Sequence, residues 1–156
     1  TDNAITLNND IQLVIRFYGE PEKIHENYDF VHCTNYWDSK TKQVHTNIKA
    51  LEAILARELV YVGSRYPLAS IFRMRKFIKR DWNINVGQIL KACMQLNDFD
   101  LSNPYILTDQ CTGVDVHYLK NLVGDIVAEM ESRRKNNEPI SIDKGYAMTV
   151  IEKIFG

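Results

Sequence analysis

Apolar residues follow two different spacings along the chain. Up to Gly63 they alternate or form short runs, as in strands, whereas after Gly63 they recur every three or four residues, as in helices. This change predicts an α+β fold, with a small N-terminal β-sheet followed by a mainly helical body and no second independent core. We therefore divide the chain into a predicted α/β region, residues 1–62, and a predicted helical region, residues 63–156.

The N-terminal part of this pattern begins with two predicted strands. Residues 3–8 and 11–17 flank an Asn-Asn-Asp turn, and the second strand is nearly continuously apolar, which is typical of a buried strand. Pro21 is expected to open a short helix over residues 22–27, because proline favours the first helical position.

A second pair of strands and a helix are predicted next. Residues 28–37 and 43–46 are expected to form strand-like arms around a polar turn, and residues 59–62 form a short apolar run that ends at Gly63. Apolar residues at helical spacing predict a helix between them, which carries Ile48, Leu51, Ile54 and Leu55.

Helical spacing describes the rest of the chain. Residues 66–85 are predicted to form one helix opened by Pro67, and Asn85 is expected to cap the next helix. Residues 97–111 are polar and expected to be irregular, a long amphipathic helix follows, and a final helix is predicted over residues 143–154. The apolar side of the helix after Asn85 comprises Val86, Ile89, Leu90, Cys93 and Met94, and that of the long helix comprises Leu119, Leu122, Val123, Ile126, Val127 and Met130.

Charge is distributed unevenly, although the 156 residues carry a net charge of only −1. Residues 51–82 hold 7 basic and 3 acidic residues, a local charge of +4, whereas residues 1–50 and 83–156 carry −2 and −3. The 45% hydrophobic and 25% charged composition is typical of a globular protein. The positive zone includes most of the helix predicted over residues 66–85, which is therefore the first candidate for function.

Basic and apolar residues lie on different sides of this predicted helix. Projected at about 100° per residue, the basic face comprises Arg65, Lys76, Arg80 and Arg73, at about 60°, 80°, 120° and 140° from Leu68. Ala69 is expected to leave room in the middle of that face. The face could contact phosphate groups, or it could be a solvated face whose long side chains cover their neighbours.

Cysteine content and hydropathy bear on location. The chain has three cysteines, Cys33, Cys93 and Cys111. Their odd number and irregular spacing favour a reducing compartment over a disulfide framework. No apolar run reaches the length of a membrane span and no signal peptide is visible, so we predict a cytoplasmic protein without a membrane partner. The chain begins Thr1-Asp2 and leads almost at once into a predicted strand, so we expect an N-terminally truncated fragment.

Two segments resemble the head and neck region of the class II nucleotidyltransferase superfamily, which contains tRNA nucleotidyltransferases and poly(A) polymerases. Glu20–Asp38 is similar to a segment in which a short acidic helix leads into an Arg-Arg-Asp-Phe motif, with Asp29-Phe30 at the Asp-Phe positions. Leu51–Asn85 is similar to the stretch that enters the neck helix, and its matching residues are Leu51-Glu52, Leu59 to Val62, Pro67-Leu68, Arg73, Arg75 and Phe77. The resemblance covers roughly residues 3–96 and extends to nucleotidyltransferase-like proteins of bacteriophages.

The resemblance implies a partial nucleotidyltransferase palm and a neck that bind RNA or a nucleoside triphosphate. Asp29 is expected to bond a sugar hydroxyl or to hold a neighbouring arginine in place. The residues that the resemblance and the basic face together suggest for nucleotide or nucleic-acid binding are Asp29, Arg65, Arg73, Lys76 and Arg80.

The sequence also departs from the resemblance. Asn27 and Tyr28 replace the two arginines before Asp29, and Arg65-Tyr66-Pro67-Leu68-Ala69 replaces the Glu-Asp-Pro-Leu-Arg motif that reads the base. No Gly-rich turn followed by Asp-x-Asp occurs, so no catalytic residue is assigned and the fragment is predicted to be inactive. We expect no cofactor in this fragment, and Mg²⁺ only in a full-length enzyme.

The sequence was also searched for a metal site and for a nucleophilic cysteine. Three histidines and Cys33 form no compact zinc pattern, so we interpret His25, His32 and His45 as ordinary polar and core residues and predict no metal site. A nucleophilic pair of Cys33 with a histidine would need a third, orienting group that the sequence does not identify.

Three functions remain compatible with the sequence. The resemblance favours the C-terminal portion of an RNA nucleotidyltransferase, which would be an enzyme only at full length. The alternatives are a non-catalytic nucleic-acid-binding module and a helical protein-interaction domain, in which the basic face would serve solubility. The sequence does not indicate an oligomeric state.

Overall fold

A computed structural model of the protein describes residues 4–9, 11–111, 116–138, 145, 148 and 152. The α+β prediction is confirmed, although the strands form two separate antiparallel hairpins rather than one sheet. In chain order, the elements are β1 (Ala4–Thr6), β2 (Gln12–Val14), α1 (Pro21–His25), a 3-10 turn (Val31–Cys33), β3 (Tyr36–Asp38), β4 (Gln43–His45), α2 (Ile48–Ala56), α3 (Pro67–Ile78), α4 (Val86–Leu96), α5 (Pro104–Gln110) and α6 (Val116–Lys135).

The β1–β2 hairpin presents an apolar face to solvent. Its strands pair antiparallel, and within the described part of the chain they pack mainly on each other. Alternation along the strands places several large apolar residues on one face, and all of them are exposed. They are Ile5, Leu7, Ile11, Leu13 and Ile15. The prediction that residues 11–17 form a buried strand is therefore wrong, because no described element covers this face.

The strand predicted over residues 28–37 is only partly formed. Phe30 makes an isolated antiparallel bridge with Tyr61, residues 31–33 then turn as a 3-10 helix, and only residues 36–38 belong to a strand. The segment therefore takes part in two different pairings instead of running as one strand.

Two small cores hold the described body together. The first lies between α3, α4 and the segment 59–61, and consists of Phe30, Leu59, Tyr61, Met74 and Ala92, with Ile71, Phe77, Trp82 and Ile84 packed against it. The second joins α2 to the 3-10 turn and consists of Val31, Ala50 and Ala53, with Val60. Because α2 packs through its alanines, the apolar residues that predicted it are exposed, namely Ile48, Leu51, Ile54 and Leu55.

Helix α3 ends earlier than predicted. Pro67 opens it as expected, but its last helical residue is Ile78. Asp81 then adopts a left-handed conformation with φ of 61°, and the backbone N–H of Trp82 donates to the carbonyl of Phe77 at 3.2 Å. The single helix predicted over residues 66–85 is therefore wrong beyond residue 78, because a left-handed residue cannot continue an α-helix.

Helix α4 has its apolar side turned away from the body. Asn85 caps it as predicted, and its Oδ1 accepts a hydrogen bond from the backbone N–H of Gln88 at 3.2 Å. Ala92 is the buried residue through which α4 joins the first core. The apolar side read from the sequence is exposed, and comprises Val86, Ile89, Leu90, Cys93 and Met94.

A helix replaces part of the segment predicted to be irregular. Residues 97–111 include α5, which Pro104 opens. The Oδ1 of Asn103 accepts from the backbone N–H of Tyr105 at 3.0 Å and so caps the helix. Pro104 and the Asn103 cap thus start a helix in a segment that was predicted to be irregular because of its polar composition.

The predicted long helix is confirmed as α6, on which Ile126 and Met130 are buried. The side chains of Leu119, Leu122 and Val123 lie outside the described residues, as does most of the helix predicted over 143–154, of which residues 145, 148 and 152 are helical. No helix in the described ranges combines the length and the hydropathy needed to cross a membrane. The division of the chain at residues 62 and 63 stays a prediction.

Candidate functional site

Backbone pairing fixes the position of Asp29. Its carbonyl accepts a hydrogen bond from the N–H of Val62 at 2.9 Å, and the N–H of Val31 donates to the carbonyl of Val60 at 3.0 Å. Phe30 lies between these two bonds and is fully buried in the first core. Because neighbouring side chains of extended backbone point to opposite sides, burial of Phe30 directs the Asp29 carboxylate away from that core.

The Asp29 carboxylate is paired with Arg73 of α3. Its Oδ2 accepts a hydrogen bond from Nε of Arg73 at 2.5 Å. The exposed fractions of the side chains are 9% for Asp29 and 32% for Arg73, so the carboxylate is the buried partner. Bonds between two charged groups are stronger than neutral ones, and loss of the arginine would leave a buried charge uncompensated. Holding an arginine is one of the two roles expected for Asp29.

Two further ionisable groups lie near this pair. Desolvation of the Cys33 thiol raises its pKa to about 11 although the residue as a whole is exposed, with a further increase from the Asp29 charge and an opposing effect of Arg73. Burial also raises the pKa of Tyr61 to about 12, against a hydrogen bond with Ser70 that lowers it. Both groups are therefore protonated at neutral pH, and neither is activated as a nucleophile or a base in this environment.

His32 packs as an aromatic residue against residues of the first core. Its ring centroid lies 4.8 Å from that of Phe77 and 4.5 Å from that of Trp82. Its Nδ1 is buried and has no hydrogen-bond partner among the described residues. Burial lowers the pKa of the imidazole, while the Asp29 carboxylate opposes that decrease. The neutral ring is thus the form that this environment favours at neutral pH.

Arg65 belongs to a separate cluster around Tyr66. The Arg65 and Arg16 guanidinium carbons lie 5.6 Å and 5.0 Å from the Tyr66 ring centroid, and Arg16 also donates to the Tyr66 hydroxyl. The Nε2 of Gln110 donates to the backbone carbonyl of Arg65 at 3.1 Å. Gln110 is fully buried, and its Oε1 has no partner in the part of the chain that the structure describes. At the start of α3, therefore, the Arg65 guanidinium contacts the Tyr66 ring and the Arg65 carbonyl accepts a hydrogen bond from Gln110.

The exposed cations of α3 differ from the predicted basic face. Arg73 is turned towards Asp29, and Ala69, which was predicted to leave room on that face, is fully buried. We call the exposed cations at the end of the helix the α3 cationic surface, which comprises Arg75, Lys76, Lys79 and Arg80. Sequence reasoning missed Arg75 and Lys79. The small residues Ala69 and Ser70 were the available signal, because small side chains mark the side on which a helix approaches its neighbours.

Two glutamines of α4 were also missed. The Oε1 of Gln95 accepts from the Tyr61 hydroxyl at 2.5 Å and from the Ser64 N–H at 3.1 Å, while its Nε2 donates to the Ser64 carbonyl at 2.8 Å. The Oε1 of Gln88 accepts from the Tyr61 N–H at 2.9 Å. These amides satisfy backbone groups of a buried segment, so α4 packs through its polar side. The signal was the pair of glutamines on the side opposite the apolar residues.

Two other histidines, His25 and His45, lie around one tyrosine. The ring centroids of His25 and His45 lie 5.5 Å and 4.6 Å from that of Tyr36. Among the residues that the structure describes, no group of three or more histidine, cysteine, aspartate or glutamate side chains could hold a metal ion. The contacts of His25 and His45 are therefore aromatic packing contacts.

Comparison with known proteins gives one family match. Residues 1–57 match the family model described as "Gad2: Gabija anti-defense 2 family protein", which is just over a third of the 156 residues. No curated protein matches the chain, and no solved structure matches it. The match ends at Arg57, the residue that terminates α2.

This match corrects the nucleotidyltransferase prediction. The predicted superfamily and the predicted function as a portion of an RNA nucleotidyltransferase are wrong, because the family that matches is a different one. The match and the described contacts give no support to RNA binding either. The Asp29-Phe30 pair that suggested the resemblance has a structural explanation, since Phe30 fills the first core and Asp29 pairs with Arg73. Over residues 1–57, the chain is similar to the Gabija anti-defense 2 family.

Proposed function

We propose that this protein is an anti-defense protein that counteracts the Gabija system named in the family description. The observation that carries the proposal is the match over residues 1–57. The matched residues include both hairpins, α1, the 3-10 turn and α2, so the similarity extends over a series of complete elements rather than a single motif.

The geometry indicates how the matched segment depends on the rest of the chain. Asp29 lies inside the match, and its partner Arg73 lies outside it, on α3. Val31 and Phe30, also inside the match, pair with Val60 and Tyr61 just beyond it. The proposed activity should therefore require both the matched segment and its attachment to α3.

A plating assay tests the proposal. The protein is expressed in bacteria that carry the Gabija system, and these cells are challenged with a bacteriophage that Gabija restricts. We expect plating to rise towards the level seen in cells without Gabija. Cells that carry an unrelated defense system serve as the control, because an effect there would indicate a general change in phage growth.

A pair of variants tests whether the activity depends on the Asp29–Arg73 ion pair. Arg73→Met removes the partner of Asp29, whereas Arg134→Met makes the same chemical change at an exposed position of α6. Arg73→Met should lower the restored plating and Arg134→Met should leave it close to the wild-type level. Wild-type protein that accumulates in soluble form without restoring plating would contradict the proposed function.

A further inference from the structure

The α3 cationic surface is a concentration of exposed positive charge on a short stretch of helix. Arg75, Lys79 and Arg80 form no ion pair with any residue that the structure describes. Between residues 74 and 82, the one acidic residue is Asp81. The charge of these three residues is therefore available to a partner.

The spacing of these cations works against helix stability. Arg75 and Lys79, the residue that caps the helix, are four residues apart, and like charges at that spacing repel each other on a helix. Their position at the C-terminal end of α3 offsets this repulsion, because the helix dipole favours positive charge there. The helix dipole favours cations at this end, but it does not explain why a repelling pair is present.

An apolar residue lies within the same surface. Ile78 is 50% exposed and projects at about 60° from Arg75 around the helix. Protein interfaces combine apolar contact area with arginine, which is enriched in them relative to lysine. A phosphate backbone offers no apolar surface to a side chain such as Ile78, whereas a protein does.

The surface is also held rigidly. On the packed side of α3, Ala69, Ser70 and Met74 are buried, and Arg73 is fixed by Asp29. A partner would therefore meet cations on a preformed helix and would not have to order the backbone that carries them.

Charge complementarity identifies the chemistry of the partner. Residues 51–82 carry +4, while the segments on either side carry −2 and −3. A long polyanion would be attracted at α3 and repelled by the remainder, whereas a compact acidic patch on a protein need meet only the positive zone. We propose that the α3 cationic surface, with Ile78, binds an acidic surface of a Gabija protein; this inference rests on the proposed function.

A charge-reversal experiment tests this docking surface. The triple variant Arg75→Glu/Lys79→Glu/Arg80→Glu reverses three exposed charges of the surface. The matched control is Lys91→Glu/Arg134→Glu/Lys135→Glu, which reverses three exposed cations on α4 and α6. Circular dichroism and urea unfolding show whether both variants keep the wild-type fold.

Binding is measured on immobilised purified Gabija proteins at several salt concentrations, with single-stranded RNA as a separate probe. We expect wild-type binding to weaken as salt rises, the surface variant to bind on the order of tenfold more weakly, and the control variant to bind like the wild type. Ile78→Ser should weaken binding without changing its salt dependence. The surface variant should also lose the restored plating.

The outcomes separate this inference from the proposed function. Equal binding and plating by the folded surface variant and the wild type would overturn the inference and leave the proposed function standing. The inference would also be overturned if the wild type binds RNA but not the Gabija proteins, and if the surface variant loses that RNA binding. Failure of the wild type to restore plating would overturn the proposed function and this inference together.

Discussion

Asp29 and Arg73 are 44 residues apart in the chain and form an ion pair whose carboxylate is almost completely buried. The pair joins the segment that matches the anti-defense family to α3. We expect Arg73→Met to lower the free energy of unfolding by about 2–3 kcal/mol, because it leaves the buried Asp29 charge without a partner, although solvent around Arg73 reduces the full effect.

Urea unfolding at pH 7 measures this change, and Arg75→Met is the matched control. Arg75 is exposed on the same helix, so its substitution should change the free energy of unfolding by less than about 0.5 kcal/mol. Equal effects of the two substitutions would show that the ion pair contributes no more than an exposed arginine.

Gln95 is expected to be a second residue whose substitution strongly lowers the free energy of unfolding. Gln95→Leu removes partners from the Tyr61 hydroxyl and from the backbone N–H and carbonyl of Ser64. Unsatisfied buried polar groups are costly, so we expect a loss of about 2–3 kcal/mol in the free energy of unfolding. Gln43→Leu makes the same chemical change at an exposed position of β4 and should have little effect. A well-folded Gln95→Leu protein of wild-type stability would contradict the role assigned to this amide.

Stability should fall in mild acid because of His32. Burial lowers the pKa of His32 in the folded protein, so below about pH 6.5 the unfolded chain takes up a proton before the folded protein does. The stability that comes from the neutral ring is therefore complete above about pH 6.5 and is lost as the pH falls towards the lowered pKa.

The comparison is between free energies of unfolding at pH 7.5 and pH 5.5. His32→Phe should reduce the difference between these two values, because phenylalanine fills the aromatic cluster without titrating. His45→Phe is the control and should leave the contribution of His32 intact, since His45 stacks on Tyr36 instead. The interpretation fails if His32→Phe keeps the full wild-type difference.

Cys33 should react slowly with thiol reagents although the residue is exposed. Its pKa is raised to about 11, so at pH 8 very little of it is thiolate, and alkylation should be on the order of a hundredfold slower than in the urea-unfolded chain. The double variant Cys93→Ser/Cys111→Ser leaves Cys33 as the one thiol to be followed. Equal rates in the folded and unfolded protein would show that the thiol is not desolvated.

Local signals in the sequence located several helix starts correctly. Proline at the first position of α3 and asparagine before α4 depend on the chemistry of neighbouring residues, and both act in the structure as predicted. The end of α3 was missed because it depends on Asp81 adopting a left-handed conformation, which aspartate tolerates but does not require.

The packed sides of the helices were harder to predict. Helical spacing shows which residues share a side, but whether that side is buried depends on what lies opposite it. In α4, hydrogen bonds from Gln88 and Gln95 to the segment 61–64 decide the orientation. The same limit applies to the predicted site. An arginine partner was expected for Asp29, but nothing local to Arg73 identified it as that partner, 44 residues away.

The exposed β1–β2 hairpin has a consequence for how the molecule opens. Because its strands pack mainly on each other, separating them does not require breaking the Phe30–Tyr61 bridge or the first core. Isolated two-stranded hairpins are only marginally stable in water. Backbone amides of residues 4–9 and 11–14 should therefore exchange with solvent deuterium by local fluctuation, while those of residues 59–62 exchange only through a much rarer opening of the body.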